Sequence, residues 1–87
     1  MDTWTTRDGH KIRITDMGDR HLNNTVRHCE RMLRLARDEY SACASYCARG
    51  DAAYDAQMSA MNNIEGTMEF FRTALEALRN EQAVRGF

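Results

Sequence analysis

Hydrophobic residues recur at alternating spacings of four and three along the middle of the chain, which is the pattern of a heptad seam. A helix with such a stripe buries the stripe against a second helix. The members of the stripe are Leu22, Val26, Cys29, Leu33, Ala36, Tyr40, Cys43 and Cys47. The pattern therefore predicts a long first helix, over residues 17–48, that lies along a helical partner.

A second apolar stripe follows and predicts that partner helix over residues 52–82. Its members are Tyr54, Met58, Met61, Ile64, Met68, Phe71, Leu75 and Leu78. The spacing slips at Ile64, and poor helix formers occupy 62–67, so a kink or a break there is an alternative to one continuous helix. A short connection predicts antiparallel helices, in which residue numbers that sum to about 100 lie level.

Residues 3–14 are typical of a β-hairpin, with Asp8-Gly9 as a two-residue type I′ turn. Strand pairing symmetric about this turn places Trp4 opposite Arg13. Trp4, Lys11 and Arg13 then share the outer face, while the isoleucines on the other face dock on the helices.

Capping residues predict where the helices begin and end. Asp16 is expected to cap the first helix, with Asp19 completing a variant of the capping box. Gly50 is expected to end that helix in a left-handed conformation, and Asp51 to cap the next one.

These elements predict one mainly α domain over residues 1–87, made of a β-hairpin and a long, coiled-coil-like antiparallel helix pair. Two helices and a small hairpin leave apolar side chains uncovered, so self-association is expected, most simply as a homodimer that forms a four-helix bundle. The surplus side chains are Met32, Leu35, Tyr46, Phe70 and Leu78.

The net charge of the 87 residues is −1, but the charge is unevenly distributed. Residues 1–49 carry nine basic and seven acidic side chains (+2), and residues 50–87 carry three and six (−3). This asymmetry predicts ion pairs from Arg31 and Arg34 to Glu69 and Glu65. No signal peptide or membrane span is apparent, and the odd number of cysteines favours reduced thiols, so a cytoplasmic protein without membrane partners is expected.

A stripe of arginines on the first helix has two interpretations. Arg20, Arg27, Arg31 and Arg34 follow helical spacing, and their guanidinium groups match phosphate oxygens. The alternative is that they pair with acidic residues of the second helix. Near-neutral net charge argues against a protein that binds duplex nucleic acid mainly through counterion release.

A second cluster predicts a binding surface where the outer face of the hairpin meets the first turns of the first helix. An indole, cationic groups and an amide are suited to stacking a base and holding its phosphates. The alternative is that Trp4 covers the hairpin or joins a dimer contact, while the histidines are solvated. With the adjacent arginines, the candidate binding residues are Trp4, Lys11, Arg13, His21, Asn24, Arg27, His28 and Arg31.

Catalytic and metal-binding motifs are not apparent, so a non-enzymatic protein without a cofactor is expected. Cys43 and Cys47 lie one turn apart, but no second pair of ligands stands at zinc spacing. None of the three serines, Ser41, Ser45 and Ser59, stands in a strand-to-helix elbow, and no glycine-rich phosphate loop can be recognised.

Both ends of the chain resemble small uncharacterised proteins of bacteriophages and prophages. The resemblance covers about the first 30 and the last 10 residues. Its motifs are Trp4-Thr5-Thr6-Arg7-Asp8-Gly9, Ile12-x-Ile14, Asp16-Met17, His21-Leu22-x-Asn24 and Leu78-x-x-Glu81-x-x-x-Arg85-Gly86.

The resemblance implies a phage-type binding protein acting in the host cytoplasm. One function is a counter-defence inhibitor of a bacterial immune system, which binds a host defence protein or sequesters a nucleotide signal. The alternatives are a nucleic-acid-binding regulatory or packaging protein and a passive structural subunit.

Overall fold

The computed structural model describes residues 1–46 and 49–87, and it confirms a mainly α fold with an N-terminal β-hairpin and a two-helix hairpin. Two short strands, a 3-10 turn and two long helices follow one another. Their bounds are β1 Thr3–Thr5, β2 Lys11–Arg13, the 3-10 turn Ile14–Asp16, α1 Asp19–Ser45 and α2 Asp51–Val84. In the described part of the chain, neither helix has a stretch long and apolar enough to cross a membrane.

The first helix begins two residues later than its sequence predicts. Asp16 belongs to the 3-10 turn, and Gly18 is the N-cap of α1, without a side-chain hydrogen bond. The expected Asp16 cap is therefore wrong. Asp19 occupies the first turn instead, where its carboxylate faces the positive end of the helix dipole.

The connection between the helices also differs from the predicted one. The helix α1 ends at Ser45, and the amide nitrogen of its C-cap, Tyr46, donates to the Cys43 carbonyl at 3.2 Å. Gly50 has a φ of +84°, but it is the N-cap of α2 rather than the end of α1, and Asp51 is the first residue of α2. The predicted end at 48 and the seam position of Cys47 lie outside the described residues.

The second helix is unbroken over its 34 residues, so the predicted alternative of a break at 62–67 is wrong. Buried Ile64 lies within this stretch and buried Met68 directly follows it, and both belong to the core that packs against α1. The low helix propensity of this stretch is offset by packing, which supplies most helical stability in proteins.

The core follows the two predicted stripes over residues 22–36 of α1 and 64–78 of α2, which is the half of the helix pair away from the interhelical connection. Tyr54 and Met58 are wrongly placed by the pattern, since they are 57% and 38% exposed. Leu78 is fully buried rather than surplus, whereas Leu35, Tyr46 and Phe70 are exposed as expected and Met32 is partly buried. The buried helix residues are Leu22, Thr25, Val26, Cys29, Leu33, Ala36, Ile64, Met68, Phe71, Ala74, Leu75 and Leu78.

Polar contacts between the helices confirm their antiparallel register. The Gln82 amide donates to the Asn23 amide oxygen at 2.9 Å, and the Tyr40 hydroxyl donates to Glu65 at 3.0 Å. At the connection, the Gln57 amide donates to the Cys43 carbonyl at 2.7 Å. The two helices are thus joined along their whole described length.

The predicted ion pairs between Arg31 or Arg34 and Glu69 or Glu65 are wrong. Glu65 accepts from Tyr40, and Glu69 pairs with Arg72 of its own helix at 3.8 Å. Both arginines lie on the outer face of α1, because they stand about half a turn from the buried stripe.

The register of the hairpin differs by one residue from the predicted one. Trp4 lies opposite Ile12 rather than Arg13. The loop contains three residues, since the Gly9 amide donates to the Thr6 carbonyl at 2.9 Å and Gly9 alone in it has a positive φ, +85°. This geometry is a type I turn followed by a left-handed residue that forms a G1 bulge.

A shift of one residue moves Trp4 to the opposite face of the hairpin. Trp4 shares its face with Ile12 and packs against the core, whereas Lys11 and Arg13 point the other way and are exposed. The hairpin lies across both helices, where Trp4 contacts His28 of α1 and Phe70 of α2. The molecule is elongated, with principal extents of 52 × 24 × 17 Å.

Arg85 joins the two ends of the chain. Its guanidinium donates to Glu81 at 3.1 Å, to Asp19 at 3.0 Å and to the carbonyls of Ile14 and Thr15, both at 3.2 Å. These carboxylates raise the pKa of Arg85, Glu81 having the larger effect. The C-terminal turn is thereby fixed to the segment that leads from the hairpin into α1.

Candidate functional site

Four aromatic rings meet where the hairpin crosses the helices. The Trp4 indole contacts the His28 ring edge-on, with centroids 6.5 Å apart, and the Phe70 ring at 6.3 Å. Phe71 contacts His28 at 6.4 Å and Phe70 at 5.2 Å, both edge-on. Such edge-to-face contacts are favourable, so the cluster fixes the half-buried indole over α1 and α2.

An open groove of about 430 Å³ lies beside this cluster, between the start of the hairpin and α1. We call it the hairpin–α1 groove. Its size is within the range of sites for small ligands. Its lining residues are Trp4, Thr5, Thr6, Arg7, Asn24, Thr25 and His28.

Helical spacing explains why Asn24 and His28 lie together, since residues four apart share one face of a helix. Arg31 is three residues further along this face, and its Nη2 lies 3.5 Å from His28 Nδ1, at the long end of the hydrogen-bond range. When Nδ1 accepts this hydrogen bond, Nε2 carries the proton and can donate to a ligand.

Some polar side chains of the groove form hydrogen bonds within the protein, and others do not. The Thr6 and Thr25 hydroxyls donate to the carbonyls of His10 and His21, at 3.2 and 2.8 Å. Among the described residues, none accepts from or donates to the Asn24 side chain. Of the described residues that line the groove, Arg7 alone is charged, and it is exposed.

Two predicted site residues lie elsewhere. Lys11 and Arg13 are on the hairpin face that points away from Trp4, so the expected cluster of Trp4, Lys11 and Arg13 does not form. Arg13 lines a separate groove of about 830 Å³, between the hairpin and α2, which also contains Asp2, Glu76 and Glu81. Glu81 is paired with Arg85, and Asp2 and Glu76 offset the charge of Arg13, so this larger groove offers no net positive charge to an anionic ligand.

His21 and Arg27 are exposed on α1 and do not line the hairpin–α1 groove. Arg27 belongs to the arginine stripe, and the structure overturns the interpretation that the stripe pairs with α2. Within the described chain, its four members Arg20, Arg27, Arg31 and Arg34 form no ion pair with a carboxylate. Two acids near them are already paired, Asp19 with Arg85 at 3.0 Å and Glu30 with Arg79 at 3.9 Å.

Sequence reasoning missed Arg7 and Thr6 as parts of the groove. In a two-residue loop Arg7 would pair with His10 at the end of a strand, which gave no reason to place it over α1. The three-residue loop begins at Arg7 and brings its side chain beside Asn24 and His28. The Thr-Arg-Asp-Gly motif fits a two-residue loop and a three-residue loop equally well, so the three-residue loop was an alternative that could have placed Arg7 at the groove.

Cysteine chemistry does not extend the site. Cys29 and Cys43 are both free thiols. Burial, with a contribution from Glu30, raises the pKa of Cys29 to about 11, so its thiol stays protonated at neutral pH. Over residues 1–46 and 49–87, no group of three or more metal-ligating side chains occurs.

Comparison of the chain with protein-family models, with curated proteins and with solved structures finds no significant match. The geometry of the hairpin–α1 groove and of the arginine stripe is therefore what supports a function for this chain.

Proposed function

We propose that the chain is a non-enzymatic binding protein whose hairpin–α1 groove takes a nucleotide. The observation that carries this proposal is the placement of Trp4, Asn24 and His28 around one groove, with Arg7 at its rim and Arg31 against His28. An aromatic surface with guanidinium groups beside it suits a ligand that contains both a base and a phosphate group.

The side chains divide the work of recognition. The part of the Trp4 indole that faces the groove provides a surface on which a base stacks, typically contributing about 1–3 kcal/mol. The Asn24 amide offers a donor and an acceptor for the edge of the base. Arg7 and Arg31 provide guanidinium forks for phosphate oxygens.

The resemblance to phage proteins supports a counter-defence role for such binding. A protein that sequesters a nucleotide signal in the host cytoplasm would inhibit a bacterial immune system without catalysis. Inhibition by covering a host defence protein is the other form of this role. The polar groove favours the nucleotide, because protein contacts are usually centred on larger apolar surfaces.

A thermal-shift screen tests the proposal with cyclic dinucleotides, cyclic trinucleotides and ADP-ribose derivatives. A ligand that binds only the folded chain raises the melting temperature, and at 100 times its Kd it stabilises the fold by about 2.7 kcal/mol. Arg31→Ala should weaken binding roughly 10-fold or more, since hydrogen bonds to charged groups contribute about 1.5–3 kcal/mol. Asn24→Ala should weaken binding about 2- to 12-fold, since a neutral hydrogen bond contributes about 0.5–1.5 kcal/mol.

Matched controls are Lys11→Ala and Arg37→Ala, which remove exposed cations from the hairpin and from α1 outside the groove. Both should bind as the unmodified chain does, and so should Arg13→Ala. The proposal is wrong if no nucleotide raises the melting temperature, or if the control variants lose as much affinity as the groove variants.

The unpaired arginine stripe favours a second candidate function, the binding of nucleic acid. Its members lie on one outward face of α1, and Arg20 and Arg34, 14 positions apart, are about 21 Å from each other along the helix. This function predicts retention on DNA or RNA that falls steeply with salt. Arg20→Ala and Arg34→Ala would then weaken retention and leave the melting-temperature shift with nucleotides unchanged.

A further inference from the structure

The hairpin covers only one half of the face it lies on. Leu35 follows His28 by seven residues on α1, and Asn63 precedes Phe70 by seven on α2, so both continue the face that Trp4 covers. No described residue covers the part of this face that lies between the hairpin and the interhelical connection. We call it the open face, and define it by Met32, Leu35, Glu39, Ala56, Ala60, Asn63 and Phe70.

The open face is apolar and nearly uncharged. Leu35 is 53% exposed and Phe70 is 48% exposed, while Met32 is partly buried at its floor. Of its defining residues, Glu39 alone is charged. The large side chains Leu35 and Phe70 lie at one end of this face, and the small side chains Ala60 and Ala56 follow 10 and 14 residues from Phe70, toward the connection, where they leave room for side chains from another helix.

The total exposed area of the chain is large enough to include an interface with another chain. The chain exposes 6330 Å². A compact monomer of 10.0 kDa is expected to expose about 5,200 Å², so the excess is about 1,100 Å². A standard protein interface buries about 800 Å² on each partner, which this excess accommodates. The radius of gyration, 16.4 Å, likewise exceeds the value of about 12 Å expected for 87 residues.

We propose that a second copy of this chain covers the open face and that the two helix pairs form a four-helix bundle. A twofold arrangement sets the large side chains of one copy, Leu35 and Phe70, against the small residues of the other. Self-complementarity of this kind is what an interface between identical surfaces requires. The interface reaches Phe70 and therefore borders the aromatic cluster beside the hairpin–α1 groove.

Sedimentation equilibrium of the full chain tests this proposal. The unmodified chain should sediment at twice its mass of 10.0 kDa. Leu35→Glu on α1 and Asn63→Arg on α2 should each raise the dimer dissociation constant at least roughly 100-fold, because each buries an unpaired charge at the interface. Circular dichroism should show unchanged helicity, since both side chains are exposed within one copy.

Met58→Glu is the matched control. Met58 is an exposed apolar residue of the same helix, but it lies 12 residues from Phe70 and hence about 120° around α2 from the open face. This variant should remain a dimer. A single-copy mass for the unmodified chain, a dimer that persists in both open-face variants, or equal dissociation by Met58→Glu would each overturn the proposal.

Discussion

Gly9 determines which face of the hairpin carries Trp4. It is the loop residue with a positive φ, +85°, and the left-handed conformation there closes a three-residue loop. That loop length sets Trp4 opposite Ile12 and aims the indole at His28 and Phe70. The location of the candidate site thus depends on one backbone conformation in the loop.

Substitutions at Gly9 and Asp8 distinguish the two loop geometries. Gly9→Ala should destabilise the fold by about 1–2 kcal/mol, because an L-residue with a side chain is strained in the left-handed region. Asp8→Ala should cost less than about 0.5 kcal/mol, since the φ of Asp8 is negative. Urea unfolding measures both changes. A type I′ turn, which needs a left-handed residue at each position, would instead make the two substitutions similarly costly.

The helices were predictable as elements and the pairing of the strands was not. Heptad spacing identified both helices and most of their buried residues, because an amphipathic helix records its buried face in its own sequence. The Asp8-Gly9 pair fits two loop lengths, and the choice between them brings Trp4 against Phe70, which lies 66 residues away. No local pattern contains that information.

The prediction of buried residues from the apolar spacing was also wrong near the interhelical connection. Tyr54 and Met58 continue the apolar spacing of α2, yet they are exposed. Conversely, Ala74 is fully buried, although it lies off the predicted stripe. Ala74 follows Phe70 by one turn and belongs to the buried core, so the core on α2 is wider than its apolar stripe.

The continuity of α2 through its polar stretch leads to a prediction at the element scale. Gly66 lies inside the helix, and a Cβ added there meets no atom within 4 Å. Gly66→Ala should therefore raise the free energy of unfolding by about 0.5–1 kcal/mol, through helix propensity alone. Urea unfolding provides the measurement. A neutral or destabilising effect would indicate that the helix needs a bend or an interruption at this position.

At the scale of the whole molecule, Arg85 links the C-terminus of α2 to the segment between the hairpin and α1. Its contact with Glu81, at 3.1 Å, joins residues four apart at the C-terminal end of α2. The other acceptors, Asp19 and two carbonyls, lie 66 to 71 residues away in the sequence, so spacing could not identify them.

Removal of this link should lower the melting temperature. Arg85→Ala leaves a largely buried Glu81 carboxylate and two carbonyls without their donor, and Arg85→Lys should recover only part of the loss, because one ammonium cannot match the fork of a guanidinium. Arg79→Ala is the control, since its exposed 3.9 Å pair with Glu30 should contribute only about 0–1 kcal/mol. Equal melting temperatures for Arg85→Ala and Arg79→Ala would contradict a structural role for the link.

The candidate site was only partly predictable. Trp4, Asn24 and His28 were identified from residue type and helical spacing, and the structure places them at one groove. Lys11 and Arg13 were assigned through the incorrect register, and Arg7 was missed with it. The α1 part of the site could therefore be derived locally, whereas the hairpin part depended on the loop and on contacts with α2.

The most direct test of the proposed function uses Trp4, the one tryptophan of the chain, as a fluorescent probe inside the groove. Titration with a nucleotide that raises the melting temperature should change the emission of Trp4 in a saturable manner, with the same Kd as calorimetry. The titration should shift to a higher Kd in Asn24→Ala and keep its Kd in Lys11→Ala. A nucleotide that binds and stabilises the chain while Trp4 emission stays constant would contradict binding in the hairpin–α1 groove.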